Sequence, residues 1–285
     1  MRIRWRAIAA LSVALQTGVL TSAGGALPCE STDAAVLSYA AQEEKEGTPS
    51  QTVAEAQPST GEVALPEEGE SVVPLQAEEP EKAEEYLIED FEIIWQMPEL
   101  PTGCEITAMT MALRYYGLPA DKMEMATRYL PTASADFYYG DGGRLYGPDL
   151  ERYFVGDPAT QAGYICGPQA ILTAANAYLA DQGSSLRAVE KTGASPEQLY
   201  RYIRENTPVV VWVTISMEQR RPLQGWYTED GRYVEWSTND HGAVLIGYTQ
   251  ETVTIADPIS GLVEYDRQVF EEVFASRENQ CVVLE

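Results

Sequence analysis

The chain has 285 residues, a net charge of −25 and four cysteines. With the first 86 residues set aside, residues 87–285 still carry a charge of about −15, which argues against nucleic acid or anionic lipid as a partner. The three cysteines within residues 87–285 are too scattered to indicate a disulfide framework, although two cysteines of an exported protein could still pair. A single histidine and the lack of a CxxC pair argue against a structural zinc site.

Residues 1–27 have the order of an export signal. A basic "MRIRWR" precedes the uncharged "AIAALSVALQTGVL" and the small-residue stretch "TSAGGA". Left uncleaved, this segment is almost long enough to span a bilayer, so an N-terminal anchor is the alternative. Cys29 suggests lipidation, but Pro28 stands where a small residue is expected. We therefore expect a protein that is secreted or held at the extracellular face of the cell envelope, touching the membrane only through an uncleaved N-terminus.

Residues 28–86 read as a disordered, acidic, proline-containing linker. From Glu30 to Tyr86 there are fifteen Asp and Glu residues against two Lys. Such a segment buries too little apolar surface to offset its ordering entropy, and its charges repel one another and extend it. It is predicted to be a spacer, with an acidic propeptide or a solubility tail as the alternative. Residues 87–285 are long enough for one domain with a sizeable core.

The domain shows helices first and strands later. The spacing of apolar residues and the capping signals predict helices at 104–116, 119–130, 167–182 and 195–206. Short runs rich in β-branched residues predict strands at 208–215, 242–249, 252–258 and 280–285. This order predicts an α+β fold in which N-terminal helices pack on a C-terminal antiparallel sheet.

Cys104 stands where the Pro/Gly-rich loop "PELPTG" turns into the first helix. The unpaired N–H groups and the dipole of a helix N-terminus stabilise a thiolate, so we expect the pKa of this thiol to be lowered. A buried structural cysteine is the alternative. Cys166, in "GYICGPQAIL", also precedes a helix and is the rival nucleophile.

His241 is the single histidine and begins the apolar strand "HGAVLIGY". If this strand and "TVTIADP" form a tight hairpin, His241 lies across from Asp257 or Pro258, so the Asp257 carboxylate can reach and orient the imidazole. Asp240 is the rival carboxylate, but neighbouring strand residues point to opposite faces. A turn-forming Asp-Pro at a strand end is the alternative explanation for Asp257.

In order along the chain, "QMPELPTGCE", "GYICGPQAIL", "PVVVWVTI", "HGAVLIGY" and "VTIADP" resemble the bacteriocin-processing-type (double-glycine leader) cysteine peptidase-like family of the papain-like superfamily. The resemblance covers essentially 87–285 and implies a papain-like fold. It implies Cys104 as nucleophile, His241 as base and Asp257 as orienter. Gln96 resembles the oxyanion-hole Gln of the family, at a spacing of eight residues that is longer than usual in the processing peptidases.

The sequence thus predicts an exported cysteine peptidase with a Cys-His-Asp triad and no cofactor, whose substrate is a peptide or protein, with cell-wall peptide as one candidate. A cell-wall amidase or an acyl transferase with the same triad is one alternative, and a non-catalytic wall-binding or protein-binding module on the same fold is another. The substrate does not follow from the resemblance, because the leader-processing peptidases are usually fused to a transporter that this sequence lacks. Aromatic residues ahead of His241 either wall a peptide groove or pack in the core: Trp212, Trp226, Tyr227, Tyr233 and Trp236.

Overall fold

The computed structural model describes residues 85–285. The predicted signal and nearly all of the predicted linker lie outside these residues. The α-helices of the described part are α1 (Cys104–Tyr115), α2 (Lys122–Glu124), α3 (Pro168–Asp181), α4 (Pro196–Arg204) and α5 (Arg267–Ser276). The strands are β1 (Tyr86–Leu87), β2 (Thr132–Ala133), β3 (Tyr138–Tyr139), β4 (Leu145–Tyr146), β5 (Phe154–Val155), β6 (Ala188–Glu190), β7 (Val209–Thr214), β8 (Trp226–Tyr227), β9 (Tyr233–Val234), β10 (Asp240–Tyr248), β11 (Thr252–Asp257), β12 (Gly261–Asp266) and β13 (Cys281–Leu284).

The main sheet is antiparallel throughout. Its strand order is β12-β11-β10-β7-β13-β6, and β1 adds to the far end of β10. Every residue of β7 and β10 is buried, so these strands read as continuous apolar runs instead of alternating ones. Helix α1 lies against β10 and β7, which brings the start of the helix to the strand that begins with Asp240 and His241. The α+β class with an antiparallel sheet is confirmed.

Three of the predicted helices are confirmed nearly to the residue. Helix α1 begins at Cys104, and its first ten residues are all buried. Helix α3 has Pro168 in its first turn, where the missing N–H has no helical partner to lose. Helix α4 starts with a capping box, in which Ser195 and Gln198 each bond the other's backbone N–H.

The structure differs from the sequence prediction in two regions. The helix predicted at 119–130 begins only at Lys122, with Asp121 as its cap, and continues after α2 as a π-helical turn over Met125–Tyr129. The segment between β11 and β13, for which no element was predicted, contains β12 and α5. Asp266 caps α5 by accepting a hydrogen bond from the Val269 N–H at 2.9 Å.

A smaller aromatic layer lies in the middle of the chain. Its strands form a four-stranded sheet in the order β3-β4-β8-β9 and a parallel pair of β2 with β5. A separate apolar cluster beneath them contains Leu150, Val155, Ile165, Trp226 and Val234. None of the helices between residues 85 and 285 is long and apolar enough to cross a bilayer.

Candidate active site

The N-terminus of α1 rests directly on β10. Gly103 is the N-cap and Cys104 the first helical residue. A Cβ atom on Gly242 would lie 2.7 Å from Glu105 Cα and 3.0 Å from Glu105 N, closer than real Cβ atoms approach other atoms. Only glycine therefore lets the helix start come this close to the strand. The backbone of Gly242 lies beside the Cys104 thiol and acts to lower its pKa, against the effect of burial.

His241 and Asp257 are in contact inside the protein. His241 Nε2 lies 3.1 Å from Asp257 Oδ1, and the two side chains are 1% and 4% exposed. The ring N–H is not well aligned with the carboxylate oxygen, so neither ring nitrogen of His241 forms a hydrogen bond of good geometry with a described residue. The 3.1 Å distance keeps the pair within hydrogen-bonding reach, and hydrogen bonds of catalytic groups are often poorly aligned before substrate binds.

The strand register that brings these residues together differs by one residue from the prediction. Val244 pairs with Ala256 and Leu245 with Ile255, and the register shifts again between Leu245 and Gly247. His241 itself is directly opposite Val213 of β7. Its contact with Asp257 is therefore a diagonal one across the sheet, a separation that long side chains can span.

Asp257, at the end of β11, contacts both the following turn and His241. Its Oδ1 accepts hydrogen bonds from the N–H groups of Ile259 at 2.6 Å and Ser260 at 3.1 Å, so it forms the turn as well as the contact with His241. Burial raises the pKa of Asp257, but His241 and the two N–H groups outweigh burial and the net pKa is lowered. The carboxylate beside the imidazole is therefore ionised.

Asp240 is committed to arginines. Arg220 bonds both of its carboxylate oxygens, at 2.9 Å and 3.0 Å, and Arg277 bonds Oδ2 at 3.1 Å. The Ser237 N–H donates to the same Oδ2 at 2.9 Å. The rival carboxylate is thus part of a buried ion-pair network on the other side of the strand from His241.

Gln96 lies next to the end of β11. Its backbone N–H donates to the Pro258 carbonyl at 2.9 Å, which ties it to the residue after Asp257. Its side chain is buried; Nε2 donates to the Pro101 carbonyl at 3.0 Å, and Oε1 has no hydrogen-bond partner among the described residues. One of the two Nε2 hydrogens is engaged by Pro101, which leaves the second available to a ligand.

The Cys104 thiol donates to a neighbouring carboxylate. Its Sγ lies 3.2 Å from Glu105 Oε2, and Glu105 Oε1 accepts the Cys166 N–H at 3.2 Å. Burial, followed by the Glu105 charge, raises the pKa of Cys104 well above its ordinary value. The expectation of a lowered pKa is therefore wrong for the free protein, because loss of solvent outweighs the helix N-terminus and the Gly242 backbone.

The remaining two cysteines of the domain are buried free thiols. Cys166 is fully buried behind Glu105, and its carbonyl accepts the Trp212 indole N–H at 2.8 Å. Cys281 bonds the Lys191 carbonyl, and burial raises its pKa to about 12. Trp212 and Trp226 are buried, so of the five aromatics they belong to the core and not to a groove wall.

Sequence reasoning missed Glu105 and Gly242 as parts of the site. A Glu in the first turn of a helix normally serves the helix dipole from the surface, so nothing in the sequence signalled its burial. The Gly after His241 was a signal, because a glycine inside a strand often marks the close approach of another backbone.

Comparison with known proteins adds the family. Residues 88–282 match the model of the Peptidase_C39 like family. The uncharacterized protein YvpB of Bacillus subtilis is 30% identical over 189 residues, 66% of this chain and 71% of that protein. The crystal structure of a putative C39-like peptidase from Bacillus anthracis is 30% identical, with a TM-score of 0.61 over 71% of this chain and 98% of that one.

A double glycine motif protease from an AMS/PCAT transporter, solved with its leader peptide, is more distant. It is 17% identical over 68% of this chain and 88% of that chain, with a TM-score of 0.37. At that level of similarity it carries no argument about this site.

Proposed function

Because the chain belongs to the Peptidase_C39 like family, we propose that it is a cysteine peptidase that hydrolyses peptide bonds through Cys104, His241 and Asp257. This follows the resemblance to papain-like enzymes and the peptidase named in the Bacillus anthracis structure. The observation that carries the proposal is the 3.1 Å contact of the single histidine with Asp257, beside the strand position on which the Cys104 helix rests.

The proposed proton path follows from which nitrogen faces Asp257. Since Nε2 is the nitrogen at the carboxylate, Nδ1 is the one that takes the proton of the Cys104 thiol. The sulfur then attacks the carbonyl carbon, and His241 returns its proton to the leaving amine. The ionised Asp257 fixes the imidazole tautomer and stabilises the imidazolium.

The oxyanion of the tetrahedral intermediate needs donors. We assign the free hydrogen of Gln96 Nε2 and the backbone N–H of Cys104, which as the first N–H of α1 has no partner inside the helix. The unpartnered, buried Oε1 of Gln96 supports a role for this side chain, because a purely structural buried amide would have both ends paired.

Cleavage assays on variants of Cys104 and Cys166, together with alkylation of all three thiols, test the proposal. We expect Cys104→Ser to abolish cleavage of a peptide library while leaving the fold intact, and Cys166→Ser to retain most activity. Iodoacetamide should label Cys104 before Cys166 and Cys281, because the latter two are 0% exposed whereas Cys104 is 6% exposed at the start of α1. An active Cys104→Ser protein, or labelling of Cys166 first, would refute the assignment.

The alternatives from the sequence are separated by the substrate. A cell-wall amidase would release peptides from purified peptidoglycan without cutting the library, and an acyl transferase would require an acceptor amine. A non-catalytic module would cut neither substrate and would not react with an acyl-enzyme-forming thiol probe. We also propose that the protein acts outside the cytoplasm, because its first 27 residues follow the pattern of an export signal.

A further inference from the structure

The site contains a second buried carboxylate besides Asp257, and this one lies against the proposed nucleophile. Glu105 is 1% exposed, and its two oxygens face two different groups: Oε2 lies 3.2 Å from the Cys104 sulfur, and Oε1 lies 3.2 Å from the Cys166 N–H. The side chain thus bridges the start of α1 and the segment that leads into α3. Gly242 packs on the Glu105 backbone from the other side, which fixes the position of this residue.

Titratable and charged groups from other elements act on this carboxylate and on the two cysteines beside it. The groups that act electrostatically on Cys104, Glu105 or Cys166 from other elements are His241, Asp257, Glu151 and Arg277. His241 lowers the pKa of Glu105, while burial raises it and has the larger effect. An S–H group that donates to a carboxylate has its proton pointing away from any base on the other side of the sulfur.

We propose that Glu105 is a positioning residue that holds Cys104 as a neutral, hydrogen-bonded thiol in the free protein, and that this S–H turns from Glu105 to His241 before the sulfur attacks. The inference rests on the proposed role of Cys104 as nucleophile. The proton then moves from Sγ to Nδ1 of His241, the sulfur electron pair forms the C–S bond, and the carbonyl π pair moves to oxygen. Glu105 neither gains nor loses a proton in this step.

The arrangement has a chemical consequence for the free protein. Thiolates are the species that alkylating and oxidising agents attack, so a thiol kept neutral by a neighbouring negative charge is protected between turnovers. Glu105 therefore delays ionisation of the thiol until the S–H group has turned to His241, which lies close enough to Glu105 to act on the pKa of its carboxyl.

Replacement by glutamine separates the charge of Glu105 from its shape. In the full chain, Glu105→Gln keeps an acceptor for the Cys166 N–H but removes the negative charge beside the sulfur. The readout is the pH profile of iodoacetamide alkylation, with the label located on Cys104 by mass spectrometry. We expect the acid limb of the profile to move about one pH unit lower, the direction that loss of a neighbouring negative charge gives a thiol.

Glu264→Gln is the matched control, because Glu264 is an exposed residue of β12 and its replacement removes the same charge. Its alkylation profile should coincide with that of the wild type. A Glu105→Gln profile that also coincides with the wild type would overturn the proposal and leave Glu105 as a brace between two segments. If Glu105→Gln does not fold, the alkylation profile of the wild type tests the proposal by itself. A midpoint of Cys104 alkylation below the ordinary thiol pKa of 9.0 would overturn the proposal.

Alkylation follows the thiol whether or not a peptide is cut, so the two proposals can fail separately. An alkylation profile of Glu105→Gln that moves to lower pH, together with no cleavage of any peptide by the wild type, would support the role of Glu105 and reject the proposed peptidase activity. Cleavage by the wild type with unchanged profiles would retain the peptidase and reject the role of Glu105.

Discussion

His241 and Gly242 are neighbours in β10 and act in different ways on the two sides of the site. The imidazole of His241 reaches Asp257 at the end of the adjacent strand, while the missing side chain of Gly242 admits the first turn of α1. The backbone of Gly242 also acts to lower the pKa of the Cys104 thiol. One dipeptide therefore positions the proposed base and admits the proposed nucleophile.

The two aspartates near His241 should give opposite kinds of defect. Asp257→Asn removes the charge that orients and stabilises the imidazole, and we expect kcat to fall by about 10²–10⁴-fold with little change in substrate binding. Asp240→Asn leaves Arg277 and Arg220 without their shared buried partner, and we expect a loss of about 3 kcal/mol in the free energy of unfolding. Steady-state kinetics and denaturant titration measure the two effects.

The comparison is informative because the two residues flank the same histidine in different ways. If Asp240→Asn lost kcat while remaining as stable as the wild type, Asp240 would be the orienting carboxylate. If Asp257→Asn kept full kcat, the 3.1 Å contact would be only part of the turn that Asp257 forms with Ile259 and Ser260.

Gly242→Ala should disturb both folding and catalysis. Its Cβ would meet backbone atoms of Glu105, which cannot give way without moving the start of α1. We expect a loss of about 1–3 kcal/mol in stability and a fall in kcat that remains under conditions where the protein is fully folded. Circular dichroism melting and kinetics at low temperature separate the two contributions.

Gly247→Ala is the matched control for that variant. Gly247 lies in the same strand and is also crowded, since its Cβ would come within 2.7 Å of Leu87 Cδ1 and 3.0 Å of the Tyr86 carbonyl oxygen, but it is at the other end of β10 from the first turn of α1. We expect it to lower stability and leave kcat unchanged. Equal kcat values for the two variants would mean that the close packing at Gly242 matters only for folding.

The candidate site was only partly open to prediction from sequence. Cys104 at a helix start and a single histidine before an apolar strand are local signals, and a hairpin brings Asp257 near His241 by simple geometry. Glu105 was not predictable, because its burial depends on the approach of α1 to β10 and of the Cys166 segment to both. The same burial reversed the expected direction of the Cys104 pKa. The catalytic roles of these residues stay a prediction.

At the level of elements, prediction succeeded where a segment carried its own signals. Helix α4 has a complete capping box, and all residues of β7 but Trp212 are β-branched, so both elements can be predicted without knowledge of their neighbours. The strands of the aromatic layer are only two residues long, too short to show an alternating pattern. Helix α5 follows β12 directly, with Asp266 as both the last strand residue and the cap, so no turn signal separates the two.

The hairpin of β10 and β11 illustrates how far register can be predicted. Counting from a turn at Thr249 and Gln250 placed the partners one residue from where they lie, because the Thr249 N–H donates to the Thr252 carbonyl and the turn is therefore at Gln250 and Glu251. The pairing then shifts by one residue between Leu245 and Gly247. Such an irregularity arises from packing, here with β1 on the far side of Gly247. The contact between His241 and Asp257 survives the shift because both side chains are long enough to meet diagonally.

For the whole molecule, the charge is distributed unevenly between the two parts of the sequence. The segment from Glu30 to Tyr86 is acidic and poor in large apolar residues, whereas the described residues place their apolar side chains in one main core that continues through β7, β10 and β13. A protease cuts chain that is extended and accessible. The central strands of the packed sheet are buried on both faces and are therefore not accessible to it.

We therefore expect limited proteolysis of the protein to cut within residues 30–86 and to leave 87–285 as one resistant fragment. The fragment should keep the thiol reactivity of the full chain, because Gln96, Cys104, His241 and Asp257 all lie within it. Mass spectrometry of the fragments and of the extracellular fraction gives both the cut sites and the location. Recovery of the whole chain from the cytosol with its first 25 residues intact would reject export, and early cuts within β7 or β10 would reject a separate linker and domain.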